Sequence, residues 1–481
     1  MPSKIFMGDM PELMENILNN LNNEFKSLYS YAFVSRHWCK VSIPILWQDP
    51  FSIEKKFLSI SKYFSSLGED DKLALKGYGI NVEFSNTLFD YARFLKVLDL
   101  SRLGCAVLNY LELFNPTTSF KDPSINFIIN LLFKLFIESG ATLRKLVLDF
   151  SYFIKIKPEI FNSLEQNMQF FSRLQNLSLD IASILSIEHT TTLLRIMLFQ
   201  AVIRIIKSQE RLRKFSLAGE KYPAEFHGII SALKSQKNSL QEVIIERCYN
   251  NAEFEVMKNC ENIETLRMRS VFDYPVLLNI LNCKISTLEI VNFQINASTI
   301  VQLLEHSGKL LQQLKLDYNK ILNESLLLEA IKSFCPNITY LNISNIGFST
   351  KFIELISNLQ KLQFFTLRSI VDIPEEKLKI RVKQFAEILP LTLQYLDLVY
   401  NYSLQSYVDI LLNNCNAPLK KLLIHGLDNE KNTKALLEFC IRNRSLNYLG
   451  VFRYWELDDN FRKNVESYVT LVPYRRIVVN C

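Results

Sequence analysis

The sequence predicts an α/β protein: a small module of three helices, followed by a curved solenoid in which strand–helix units form a parallel β ribbon with outer helices. Three observations predict it. Apolar residues recur at helical spacing through the first fifty positions. A short aliphatic triplet, L-x-x-L-x-L, then repeats along most of the chain, and helical patterns fill the gaps between its copies.

The module comes first. Asp9 can cap a helix that has Pro11 in its first turn, where a missing N–H costs nothing. Leu13, Ile17, Leu18 and Leu21 follow at helical spacing, and Asn22-Asn23 breaks the pattern. A second helix carries Leu28, Tyr31, Ala32 and Val34. A third opens at Ser35-Arg36-His37-Trp38 and ends on Ile43, Ile45, Leu46 and Trp47. Such a small core usually needs a partner for stability.

Residues 9–47 resemble the F-box, whose pattern runs Leu-Pro, acidic, Leu, Ile-Leu, an apolar helix, Val-Cys-x-x-Trp and a later Leu-Trp. Here it reads Met10-Pro11, Glu12, Leu13, Ile17-Leu18, Val34-Ser35-Arg36-His37-Trp38 and Leu46-Trp47. Met10 stands for Leu and Ser35 for Cys, both changes of modest volume. The resemblance implies binding to the Skp-type adaptor of a cullin-based ubiquitin ligase, with Pro11, Leu13, Ile17, Leu18, Val34 and Trp38 contacting or supporting it. The other reading of these helices is a plain N-terminal cap on the solenoid.

The triplet begins at 95, 143, 174, 212, 240, 263, 285, 311, 338, 362, 393, 419 and 446. With 48% apolar residues, single matches arise by chance in roughly one window of nine. The period is the signal: from 212 onward the steps run from 22 to 31 residues. Helical patterns lie between, as at Val276–Leu281, Ile300–Leu304, Leu326–Ile331 and Phe352–Ile356. The chain resembles the helix-bearing class of leucine-rich repeats, in which stacking closes the apolar face that each unit leaves open. The longer steps after 95 and 174 need insertions; 125–138 and 192–206 read as apolar helices, and 115–124 as a loop. Tyr474 to Val479 reads as the final strand.

The domains are therefore 1–50, the docking module; 51–93, a helical connector packed on the first repeats; and 94–481, the solenoid. The net charge of +6 is scattered, which argues against nucleic acid. Nine cysteines show no pair spacing and no C-x-x-C. Cys260, Cys335 and Cys415 fall just before repeat strands and read as buried thiols, so neither a disulfide framework nor zinc is expected. No membrane span and no signal peptide is expected, and the chain reads as cytoplasmic or nuclear. No phosphate loop, H-E-x-x-H or G-x-S-x-G occurs. His425 and Asp397 lie on one face within possible side-chain reach, as a surface hydrogen bond and not as chemistry.

The reading is then a non-catalytic, cofactor-free substrate-recognition subunit of an SCF-type ligase, with a Skp-type adaptor and through it a cullin as partners. The alternative is a free-standing repeat scaffold or inhibitor. The residue before each second triplet member should face the concave side. From 338 onward that column reads Tyr340, Phe364, Tyr395, Lys421 and Tyr448; earlier it holds no aromatic. These residues, with Arg368, are the candidate substrate surface, and the cations suit an acidic or phosphorylated segment. The competing reading has a C-terminal segment, such as Phe452 to Trp455, folded over the column as a cap.

Overall fold

The structure is a computed structural model that describes residues 14, 16–18, 25–52, 59–80, 87–120, 122–149, 167–181, 192–219, 228–248, 252–271, 284–370, 373–426, 430–454, 457 and 459–479. The chain divides into two compact units, Met1–Leu240 and Gln241–Cys481.

The first unit opens with helical backbone at Met14 and Asn16–Leu18, then α1 (Phe25–Tyr31) and α2 (Arg36–Leu46). Ser35 caps α2 by accepting from the Trp38 N–H at 3.3 Å. Met14, Leu18, Leu28, Trp38, Ile45 and Leu46 close a small core, with Tyr31, Val41, Ile43 and Trp47 packed against it. Two short helices follow, α3 (Ser59–Phe64) and α4 (Glu69–Gly77). Their aromatics tie them to what comes next: Tyr63 meets Trp47 and Phe136 edge-on, and Tyr78 stacks on Phe127 at 4.5 Å.

Strands β1 (Val97–Asp99), β2 (Lys145–Asp149), β3 (Asn176–Asp180) and β4 (Lys214–Ala218) pair in sequence order, all parallel. The expected insertions are helices: α5 (Leu100–Glu112), capped by Asp99; α6 (Pro123–Glu138), capped by Asp122 with proline in its first turn; and α7 (Thr192–Ser208). Buried Gln236 donates to the carbonyls of Ile206 and Gln209, satisfying the end of α7.

The second unit holds β5 (Glu242–Glu246), β6 (Thr265–Arg269), β7 (Thr287–Asn296), β8 (Gln313–Leu322), β9 (Tyr340–Gly347), β10 (Phe364–Ile370), β11 (Tyr395–Asp397), β12 (Lys421–Ile424), β13 (Tyr448–Val451) and β14 (Thr470–Pro473). They also pair in order and in parallel. Helices α8 (Ala297–Ser307), α9 (Glu324–Phe334), α10 (Thr350–Asn358), α11 (Glu375–Ile388), α12 (Val408–Asn414) and α13 (Glu430–Arg442) connect successive strands. The helical pattern at Val276–Leu281 lies outside the described residues.

The second member of each of the thirteen triplets falls on a strand, and every one, from Leu98 to Leu449, is at most 1% exposed. The period-two alternation explains this: those side chains point to the helices, and the residues between them point to the open face. Asparagines tie repeats together at their ends, Asn337 donating to the Lys309 carbonyl and Asn443 to that of Ala417. Cys260, Cys335 and Cys415 are buried, and burial raises their thiols to about 11, 12 and 11.

One element differs from expectation. The last strand is β14, and Tyr474–Val479 is not a strand. Pro473 has no N–H to extend the ladder, and a 3₁₀ turn at Tyr474–Arg476 follows it.

Leu341 is fully buried between repeats, whereas Asn342 faces the other way and its Oδ1 has no partner. Leu341→Ala should cost about 2–5 kcal/mol, and Asn342→Ala under about 1 kcal/mol. Urea unfolding of both variants checks this; equal losses would overturn the strand register.

Candidate docking and recognition surfaces

The module leaves several large apolar side chains exposed outside its closed core. Trp38 and Leu18 belong to that core, Trp38 lying 5.1 Å from Tyr31 ring to ring, so they support the surface and do not form it. Ile17 and Val34 face outward, Val34 at 63% exposure. Val34 follows the end of α1, which is why it leaves the apolar set that the sequence pattern assigned to it. Tyr29 and Phe33 are exposed as well, in edge-to-face contact at 5.0 Å, with Phe33 73% exposed. The sequence reading missed this pair. Its signal was the four-residue spacing of two aromatics, one on α1 and one in the turn that follows it. Pro11 and Leu13 lie outside the described residues.

On the second unit, the open face changes character along the ribbon. At β6–β8 it is charged. Glu289 is 1% exposed and accepts from Arg267 at 2.9 Å, Arg269 at 3.0 and 3.1 Å, and Lys315 at 2.9 Å. Burial opposes its ionisation, but hydrogen bonds from Arg269, Lys315 and Arg267 outweigh it and hold the carboxyl down at about 2. Arg267 also reaches Glu242 at 3.3 Å. Further on, Arg368 pairs with Asp317 at 3.3 Å, from β10 to β8, so the bridge spans buried Ser344 on β9. Its guanidinium also lies 4.9 Å from the Tyr400 ring centroid. Arg368 is therefore engaged within the chain rather than held free for an acidic ligand.

From β9 onward the open face is covered. Tyr340 is 4% exposed and Tyr395 1%, while Phe364 and Lys421 are half-buried and only Tyr448 is open, at 39%. The expectation of an exposed aromatic column is corrected. The cover is Tyr474–Val479, which doubles back from β14. Ile477 packs with Tyr395, Val399 and Leu423. Val479 donates its N–H to the Tyr395 hydroxyl at 3.1 Å, and its carbonyl accepts from the Tyr340 hydroxyl at 3.4 Å. The Tyr400 and Tyr474 hydroxyls meet at 2.7 Å. Phe452 packs beside this cluster, so the segment proposed as a cap takes a minor part; Trp455 lies outside the described residues.

Gly450 makes the crossing possible. A Cβ there would meet the Ile477 Cδ1 and Leu423 Cγ at 3.0 Å and the Tyr474 Cα at 3.1 Å. Below, the Tyr395 hydroxyl donates to Asp397 at 3.3 Å, and Asp397 accepts from the Val399 N–H at 3.0 Å. Burial pushes the Asp397 carboxyl up, against those hydrogen bonds. His425 does not reach Asp397. It is buried, stacked on Phe452 at 5.0 Å, with Nδ1 3.0 Å from the Val399 carbonyl oxygen. Among the described residues no group of three or more potential metal ligands occurs, and no helix is long and apolar enough to cross a membrane.

No family model matches the chain, and no curated protein does. Among solved structures, a chain of the yeast Rad7 and Elc1 complex is 15% identical over 69% of this chain and 90% of its own, with a TM-score of 0.37. An internalin (inlF) from Listeria monocytogenes is 14% identical over 67% and 91%, with a TM-score of 0.33. A chain of the mouse RP105/MD-1 complex is 12% identical over 67% and 60%, with a TM-score of 0.23. The repeat architecture is established by the chain's own ladder register and burial.

Glu289 sets a pH dependence. Its folded value lies below the ordinary 4.5, so its stabilisation is present above pH 4.5 and is lost as pH falls toward 2. The difference corresponds to about 3 kcal/mol. Glu289→Gln should remove that amount at pH 7 and flatten the acid limb of stability. Urea melts at pH 7 and pH 3 check this; a variant as acid-sensitive as the parent would exclude Glu289 as the source.

Proposed function

We propose that the chain is a substrate-recognition subunit of an SCF-type ubiquitin ligase, its first helices docking to a Skp-type adaptor and through it to a cullin. The observation that carries the reading is the outward quartet Ile17, Tyr29, Phe33 and Val34 beside a module core that is already closed. Four large apolar side chains left in water on so small a module fit a partner surface better than a cap, which would bury them. Leu18 and Trp38 hold the surface from beneath. Pro11 and Leu13 complete it by the F-box resemblance.

The repeats then hold a protein substrate at the half-buried Phe364, Arg368 and Lys421 and the exposed Tyr448, beside the covered Tyr340 and Tyr395. The chain contributes position and no covalent chemistry, and needs no cofactor. It acts in the cytoplasm or nucleus, where such ligases assemble.

A Phe33→Asp, Val34→Asp double variant tests the docking half. Both residues are exposed, so stability should change by less than about 1 kcal/mol. Co-purification of the endogenous Skp-type adaptor should be lost. Adaptor recovery equal to that of the parent chain would sink the reading and leave the module as a cap on the repeats.

A further inference from the structure

We propose that the groove under Tyr474–Val479 is a docking site for an extended aliphatic segment of a partner protein, and that this stretch of the chain is its resident, displaceable occupant. The proposal rests on the reading of the open face as a recognition surface, and not on adaptor docking.

The contacts define what the groove accepts. One aliphatic side chain, Ile477, enters a pocket of Tyr395, Val399 and Leu423, floored by Gly450. Val479 packs at the edge of the same cluster and is also held by its backbone, its N–H and its carbonyl each on a tyrosine hydroxyl. Backbone recognition of this kind does not depend on sequence. Side-chain specificity thus centres on the aliphatic residue at the Ile477 position, flanked by the Tyr474 ring and by Val479, whose N–H and C=O meet the two hydroxyls. Val478, between Ile477 and Val479, is 38% exposed and makes no part of the fit.

The resident segment is also separable from the ribbon. It crosses the strands without pairing with them, and the ladder ends with β14, whose register with β13 runs from Thr470 to Pro473. Lifting Ile477–Val479 off the face therefore breaks no rung of the sheet. It would uncover Tyr340 and Tyr395, the two most buried aromatics of the column, together with the pocket beside them. A competing segment with an aliphatic residue in the Ile477 position would regain the same contacts on the same groups.

The test uses the full chain and a chain ending at Pro473. The probe is a fluorescein-labelled synthetic peptide of residues 474–481, read by anisotropy against a scrambled peptide of equal composition. Saturable binding to the shortened chain, at least tenfold weaker to the full chain and lost on Gly450→Val in the shortened one, is expected. Should the shortened chain fail to fold, Ile477→Asp in the full chain takes its place and should bind at least tenfold tighter than the parent. A folded shortened chain that ignores the peptide, or a full chain that binds it equally well, overturns the proposal. Unfolding of both variants also overturns it, because the segment is then a structural cap. Adaptor co-purification, followed on the same samples, should stay unchanged throughout; its loss in the parent chain would speak against the docking reading alone.

Discussion

Each repeat leaves one apolar face open, and the only way to close it is to place the next repeat in register beside it. The rest of the structure follows from that constraint. Parallel strands about 4.8 Å apart stack corresponding residues into columns. A column can hold charge only if neighbours alternate in sign. Along β6, β7 and β8 the middle column reads Arg267, Glu289, Lys315, and each charge meets its opposite. The carboxylate in the centre is the most buried and also the most satisfied, with donors from three residues on the two flanking strands.

The same column loses its alternating charges and then becomes apolar as the ribbon proceeds. After Lys315 it reads Asn342, Thr366, Asp397, Leu423, Gly450 and Val472. A face of Leu, Gly and Val in water would be an unpaired apolar strip. Ile477 is what lies on it, and the single glycine is where the crossing backbone comes closest. The charged end of the face and the covered end thus solve one problem by different means, opposite charges in one case and an added segment in the other.

The ribbon was legible in the sequence because its signal is local and repeated. A buried triplet at fixed offsets marks each strand, and the intervening helices carry their own period. The crossing segment was not legible in the same way. Tyr-Arg-Arg-Ile-Val-Val has the β-branched composition of a strand, and composition does not separate a strand within a ladder from an extended stretch lying across one. Its trace lies in the partner surface: Gly450 in a column position otherwise occupied by side chains, and the change from Lys315 to Leu423 and Val472. At the module, Tyr29 and Phe33 escaped notice because a search for core residues looks for apolar side chains that face inward, and these two face out.

The aromatic column itself has a chemical explanation that alternation alone does not supply. Val479 offers one donor and one acceptor at the bottom of the groove, and two hydroxyls, on Tyr395 and Tyr340, meet them. Between those rings, on β10, the corresponding residue is Phe364. A third hydroxyl there would face no remaining group on Val479, and an unpaired buried hydroxyl costs about 1–3 kcal/mol. The Tyr395 hydroxyl is doubly used, accepting from Val479 and donating to Asp397, which in turn accepts from the Val399 N–H. Burial holds that phenol far above its ordinary range, so it stays a neutral donor to the carboxylate. Tyrosine, phenylalanine, tyrosine is thus the order that the hydrogen bonds of a crossing backbone require, and the ring lacking a hydroxyl falls where the backbone has nothing left to bond.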